Sequence, residues 1–424
     1  MTSEGDPVPM AAPTAPTPTA APTPAAVATA TAGDAPATRA SPASPGRDGR
    51  IDFIRGWVML VLVVIHTEVF SLWNLLVWER VGMISGGEGF VLLAGVVLGM
   101  VSKQRLARKG WGEASSRLID RSLQLYRVHV TLILLIGILA AIVGTQHLHE
   151  ITSFTDRGSN TTYPLYPTKA SAFQWFASVA TLKMGPHQVQ ILGLYVCLMA
   201  VCPLLIYALA KGRATALLGL SWVIYFSNVV APKMPTGAQF EYAFPLCTWQ
   251  LLFVHGLVVG HYFHEIQAWF TTRSGKALLG VCIVISLFFF LVAQGTTNGF
   301  LPEWAGFDLW PDFYKEVRRY ADKNKLGPLR LLNYAAFLVV VYAILTRWWP
   351  FFQRTLGWFL VPFGSATLYV FIIHVFVVQV CSWIIPFGFT SGAPLWATTL
   401  MHTAELAFLW LMVRYQVLFR WIPR

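Results

Sequence analysis

The chain has 424 residues, of which 55% are hydrophobic and only 12% charged. That composition excludes an ordinary soluble globular protein and points to a polytopic membrane protein. A formal net charge of +11 would suit nucleic acid, but the Lys and Arg residues stand between apolar runs, where membrane topology uses them, so nucleic acid is set aside as a partner.

The chain opens on a Pro-, Ala- and Thr-rich stretch, "APTAPTPTAAPTPAAVATATAGDAPATRASPASPG". It lacks the apolar residues needed to bury a core, so residues 1–50 are expected to be a disordered cytoplasmic tail. Met1 is followed by no apolar signal-peptide core, and the first apolar helix is expected to act as its own insertion signal.

From residue 51 to 424 the chain reads as one membrane domain. Apolar runs close to the length that a bilayer of roughly 30 Å demands predict spans over 51–72, 86–102, 123–144, 188–210, 214–231, 245–263, 277–294, 329–346, 359–385 and 395–413. This is an all-α bundle of about ten transmembrane helices, a number set by the same length rule. The alternating strands of a membrane β-barrel are absent from the pattern. An excess of Lys and Arg in alternate connections favours cytoplasmic N- and C-termini. The basic connection after the second span, "KQRLARKGWGEASSRLIDR", contributes most, and "YKEVRRYADKNK" before the eighth span is the main contrary stretch.

Two long outer loops, 145–187 and 295–328, hold Trp175, Trp304, Trp310 and Tyr314. These aromatics fit either a carbohydrate-contacting rim or interfacial anchoring. Asn160 opens an Asn-Thr-Thr sequon, which matters only in a glycosylating organism. Cys197, Cys202, Cys247, Cys282 and Cys381 all fall in apolar runs without metal-ligand spacing and are expected to pack.

The first span, "IDFIRGWVMLVLVVIHTEVF", carries ionisable groups that a bilayer penalises unless they are paired or functional. Arg55 and His66 are separated by three helical turns plus about 20°, and Asp52 lies within about 40° of His66, so the three form one stripe. Glu68 lies about 220° from Arg55 and faces elsewhere. Arg55 is then a cation at the inner surface, and His66 lies about 16 Å deeper. A cation there suits the phosphates of an anionic cofactor, and a deep imidazole suits proton abstraction from a hydroxyl. The competing readings are a snorkelling anchor for Arg55 and a packing hydrogen bond for His66.

Glu88, in "GGEGFVLLAGVVLG", either orients the imidazole or complements its own helix N-terminus. In the same span Gly89, Ala94, Gly95 and Gly99 permit close helix contact. Among His129, His255, His374 and His402, His374 ranks first, because "GSATLYVFIIHVFVV" joins a small-residue start with Tyr369 and a His five residues on. Trp249 and Gln250 put polar side chains near the outer end of the sixth span, where an acceptor could meet them. No Walker loop, Rossmann fingerprint, zinc motif or hydrolase elbow is present.

Taken in order, "DFIRGWVMLVLVVIH", "GGEGFVLLAGVVLG", "RSLQLYRVHVTLILL", "QILGLYVCLMAVCPLLI", "TWQLLFVHGLVVG" and "GPLRLLNYAAFLVVVY" resemble the OpgC family of bacterial membrane proteins, associated with succinylation of periplasmic glucans. The spacing of Arg55 and His66 also resembles the hallmark of the wider membrane O-acyltransferase group. The resemblance implies a catalytic His66, an acyl-donor site at Arg55 and Asp52, a role for Glu88, and a later Tyr369 and His374 span. It also implies a multi-pass protein of the bacterial cytoplasmic membrane with succinyl-CoA or acetyl-CoA as co-substrate and no permanently bound cofactor. Its partners would be that acyl-CoA, an extracytoplasmic glycan and membrane lipid, with a homo-oligomer left open. Gln190 and Gly193 depart from the acidic residue and Pro expected in the fourth span, so either the acceptor differs from that of the glucan-modifying members or that acid is not universal.

The competing reading from another class is a transporter or flippase for an anionic lipid or metabolite, with Arg55, His66 and Glu88 along its path. A non-catalytic scaffold is the third.

Overall fold

A computed structural model describes residues 48–156, 161–166, 170–294, 311–387 and 392–423. The expectations for the N-terminal tail, Asn160, Trp304 and Trp310 lie outside those residues. Asp48 caps α1 (Gly49–His66), accepting from the Arg50 backbone N–H at 2.9 Å. This helix is apolar around most of its circumference because neighbours surround it: Met59, Val61, Val63 and Val64 are 0% exposed.

The second element, α2 (Gly86–Val143), covers two expected spans and the connection between them as two helices that meet at a kink. Its basic middle lacks Pro and carries six Arg and Lys residues, good helix formers, so helix extends into it from both sides. Only Gly110 departs, at φ 74° and ψ −176°, and there the helix bends. Glycine tolerates that positive φ without a Cβ clash.

The next connection is partly ordered, with α3 (His149–Thr152), a hairpin of β1 (Ser153–Asp156) and β2 (Thr161–Pro164), and α4 (Ala172–Ala180). The hairpin is antiparallel, with Phe154 opposite Tyr163, and is the exception to the all-α expectation. Trp175 lies against Tyr166, ring centroids 6.3 Å apart, and fills the space beside Gly137 of α2, so it packs inward.

The remaining helices are α5 (Gln190–Ala210), α6 (Ala214–Val230), α7 (Phe240–Ala243), α8 (Leu246–His261), α9 (Phe263–Phe270), α10 (Arg273–Gln294), α11 (Pro311–Tyr320), α12 (Pro328–Arg347), α13 (Trp349–Phe352), α14 (Trp358–Ser365), α15 (Thr367–Ile384) and α16 (Leu395–Arg414). The span expected over 359–385 is broken at Ala366, whose φ of −124° and ψ of 35° separate α14 from α15. Among the described residues, five helices are long and apolar enough to cross a membrane, or six if α8 and α9, bent by 78°, count together. Ten were expected. The difference arises partly because α2 joins two runs, and α1 carries Arg50, Asp52 and Arg55 within its 18 residues.

Two glycine contacts set the position of α1 and α2. A Cβ on Gly95 or Gly99 would strike the carbonyls of Phe253 or Leu257, and one on Gly256 or Gly260 would strike those of Leu92 or Val96. The backbones of α2 and α8 therefore touch, as small residues allow in membranes. Likewise Gly56 meets the Leu360 carbonyl and Gly364 meets that of Asp52, which locks α14 against the first turns of α1.

Candidate active site

The stripe on α1 has two ends. At the first, Arg55 Nη1 donates to Asp52 Oδ1 at 3.0 Å and Nη2 to Thr367 Oγ1 at 2.7 Å. The i, i+3 spacing brings the carboxylate under the guanidinium, and Thr367, the first residue of α15, fixes its other edge. Asp52 is buried and serves Arg55; Arg55 is the one that lines a cavity of about 570 Å³.

That cavity is strongly basic. Arg105, Arg117, Arg121 and Arg127 from the long middle of α2 join Arg55 around it, with Asp120 the acid among them. Arg121 Nη1 donates to Gln124 Oε1 at 2.6 Å. Val58, Phe90, Tyr195 and Phe253 are among its other walls. An anion in this cavity would meet clustered guanidiniums beside apolar and aromatic walls.

The second end is a histidine pair. His66 Nδ1 lies 2.8 Å from His374 Nε2, and His374 Nδ1 lies 2.6 Å from the Phe371 carbonyl oxygen. The two rings are inclined by only 22°. A carbonyl can only accept, so His374 carries its hydrogen on Nδ1 and, when neutral, offers a bare Nε2. His66 must then donate from Nδ1, which leaves the lone pair on His66 Nε2. Phe371 also stacks on Phe90 at 5.5 Å, which connects the pair to the cavity wall. Eight residues separate Val58 from His66, a rise of about 12 Å.

Glu88 sits elsewhere. Its Oε2 accepts from the Ser85 backbone at 2.9 Å and from the Ser85 hydroxyl, and Oε1 accepts from Arg330 Nε. Arg330 donates further to the Ala321 carbonyl at 3.1 Å. The carboxylate thus caps its own helix and neutralises a buried cation, and the imidazole partner is His374. The capping role was one of the two readings of the sequence, whereas Arg330 had no signal beyond being a charge inside an apolar run.

Trp249, Gln250 and Tyr369 are also engaged with protein groups. Trp249 is fully buried and donates to the Asn324 carbonyl at 3.0 Å. Gln250 accepts from Ser221 Oγ at 2.7 Å and donates to the Ser221 carbonyl at 2.9 Å, tying α8 to α6. Tyr369 donates to the Val417 carbonyl at 2.6 Å. Five residues along α15 amount to about 140° of rotation, so Tyr369 and His374 serve different faces.

Other groups near the pair come from loops. Lys323 and His187 both lie within electrostatic reach of His66. Glu79, in the connection between α1 and α2, lies near Lys323; burial raises its carboxyl pKa above the usual range, and Lys323 opposes that shift. Their sequence positions gave no sign of this, because loop closure alone brings them together.

Just beyond His66, Glu405 Oε2 lies 2.8 Å from Thr67 Oγ1, and His402 Nδ1 lies 2.8 Å from Ser71 Oγ. The end of α1 is therefore held between α15 and α16.

The model of the family described as OpgC protein matches residues 47–421, nearly the whole chain. Neither the curated proteins nor the solved structures compared yield a match. With the match running from just before α1 to beyond α16, this membrane protein belongs to the OpgC family.

Proposed function

We propose that the protein is a membrane O-acyltransferase that carries an acyl group, succinyl or acetyl, from cytoplasmic acyl-CoA to a hydroxyl of an extracytoplasmic glycan. Membership of the OpgC family supports a transferase of this kind. The observation that carries the chemistry is the chain from the Phe371 carbonyl through His374 to His66, which presents one imidazole lone pair deep in the fold. In this reading the chain crosses the bacterial cytoplasmic membrane about ten times, the number of apolar runs by the length rule, with both termini inside.

The donor enters with its phosphates among Arg55, Arg105, Arg117, Arg121 and Arg127, and its pantetheine arm extends past Phe90 towards His66. Bidentate guanidinium contacts give the phosphates both strength and orientation. His66 Nε2 takes the proton of the acceptor hydroxyl as the oxygen attacks the thioester carbonyl. The tetrahedral adduct collapses with loss of the C–S bond, and the departing sulfur receives that proton from His66. His374 holds the ring orientation and stabilises the transient imidazolium from a neutral position. The products are an ester and free CoA.

The test is reconstituted protein given labelled acyl-CoA on the inside and glycan outside, with mass spectrometry of the glycan. Wild type adds one acyl mass, whereas His66→Ala inserts normally and adds none. Full transfer by His66→Ala overturns the assignment.

A further inference from the structure

Two apolar clefts open on the flank formed by α10 and α12. One, of about 690 Å³, runs from α12 to the start of α1 and the bent helix α9, with Ile54, Val96 and Phe263 among its walls. The other, of about 510 Å³, lies along α10 and α12, with Ile283, Phe290 and Phe337 among its walls. Both are lined by Leu279, Ala343 and Arg347, so they meet at one cation.

The charges at that junction do not balance. Arg50 donates to Thr346 Oγ1 at 3.0 Å but is neutralised by Asp48, which holds its Nη2 at 2.7 Å. Burial opposes the charge on Asp48, but hydrogen bonds from Arg50 and Tyr342 outweigh it and keep that carboxyl below its usual pKa. Arg347, exposed in the last turn of α12, has no acidic partner among the described residues and lies 5.9 Å from the Trp348 ring. A cation beside an exposed Trp is the pattern of a membrane interface.

We propose that this flank seats one diacyl phospholipid with an anionic head group, with one chain in each cleft and the phosphate on Arg347. Two clefts joined at a single cation match two chains joined at a single phosphate. The apolar walls accept hydrocarbon, and the guanidinium supplies charge-assisted hydrogen bonds to phosphate oxygens. A lipid so placed would lie along α10, whose apolar residues Val281, Val284 and Leu287 are otherwise exposed.

Native mass spectrometry of the full chain in mild detergent, incubated with equal amounts of phosphatidylglycerol and phosphatidylethanolamine, tests this directly. Wild type and Arg347→Lys should retain one phosphatidylglycerol in preference, and Arg347→Gln should lose that retention at least fivefold. Arg354→Gln, which removes another exposed cation, should behave as wild type. Ala343→Trp, which fills the junction and keeps the cation, should also release the lipid. Equal retention by wild type and Arg347→Gln overturns the proposal, as does equal capture of the two lipids or of single-chain detergent alone. Lipid-free unfolding temperatures establish that the Gln variant is folded. The readout is independent of acyl transfer, so it stands or falls apart from the proposed activity.

Discussion

His66 and His374, 308 residues apart in the chain, share a hydrogen bond of 2.8 Å in which the direction of donation is dictated by the Phe371 carbonyl beyond them. His374→Ala should leave the His66 ring without an orienting acceptor, so both its tautomer and its angle are lost. The expected result is a fall in kcat of about a hundredfold, the lower end of what positioned acid–base groups contribute, with KM for acyl-CoA little changed. Steady-state kinetics of reconstituted protein would show it. An unchanged kcat would mean that His66 needs no partner.

The basic cavity predicts the opposite split. Arg121→Ala removes a guanidinium remote from the histidine pair, so it should weaken donor binding by about tenfold, close to the 1.4 kcal/mol typical of a lost charged hydrogen bond. Calorimetric titration with CoA should show that loss, and kcat at saturating donor should hold. Raising the salt concentration should narrow the difference between variant and wild type, because ions that reach a solvent-open cavity screen its charges.

Glu88 and Arg330 form a buried ion pair, 0% and 7% exposed. Glu88→Ala leaves Arg330 buried without its counter-charge, which should destabilise the fold by about 3–5 kcal/mol. Glu88→Ala combined with Arg330→Met should recover much of that loss. Denaturation in detergent measures both. A Glu88→Ala protein of full stability but no activity would return this carboxylate to the chemistry.

Thr67 offers one hydroxyl proton to two acceptors, the Val63 carbonyl at 3.0 Å and Glu405 Oε2 at 2.8 Å. Both contacts are satisfied if Glu405 is a neutral acid that donates to Thr67, and its buried Oε1, which has no partner among the described residues, fits the same form. Glu405→Gln, which can donate from its amide, should therefore keep transfer within about twofold, since the hydrogen bond survives. Glu405→Leu should lower kcat by disturbing the last turn of α1. Infrared spectra should show a protonated-carboxyl band that the Gln variant lacks, and its absence from wild type would refute the neutral acid.

Much of the candidate site's geometry was legible in α1 alone. Helical geometry puts Asp52, Arg55 and His66 on one stripe, and the structure places the cation and the imidazole at opposite ends of it. The membrane class and most helices follow from apolar run length, which is a local property. The run 86–144 was read as two spans joined by a basic connection, and the structure has helix on both sides of a kink at Gly110 within that connection, where hydropathy saw only charge.

What lay beyond the sequence depends on side chains from distant segments. Glu88 could be assigned to Arg330 rather than to His66 only once α12 was seen beside α2, because a buried carboxylate is taken by whichever cation packing delivers. Trp249 and Gln250 read as groups that an acceptor could meet, and in the structure each meets a backbone carbonyl, as Tyr369 does, since a polar atom buried in protein or lipid must find a partner. The composition and the 3.6-residue period determined by themselves a helical membrane protein with one polar stripe. Tertiary structure decided the partner of each polar group, because contact distance, unlike periodicity, is not written locally along the chain.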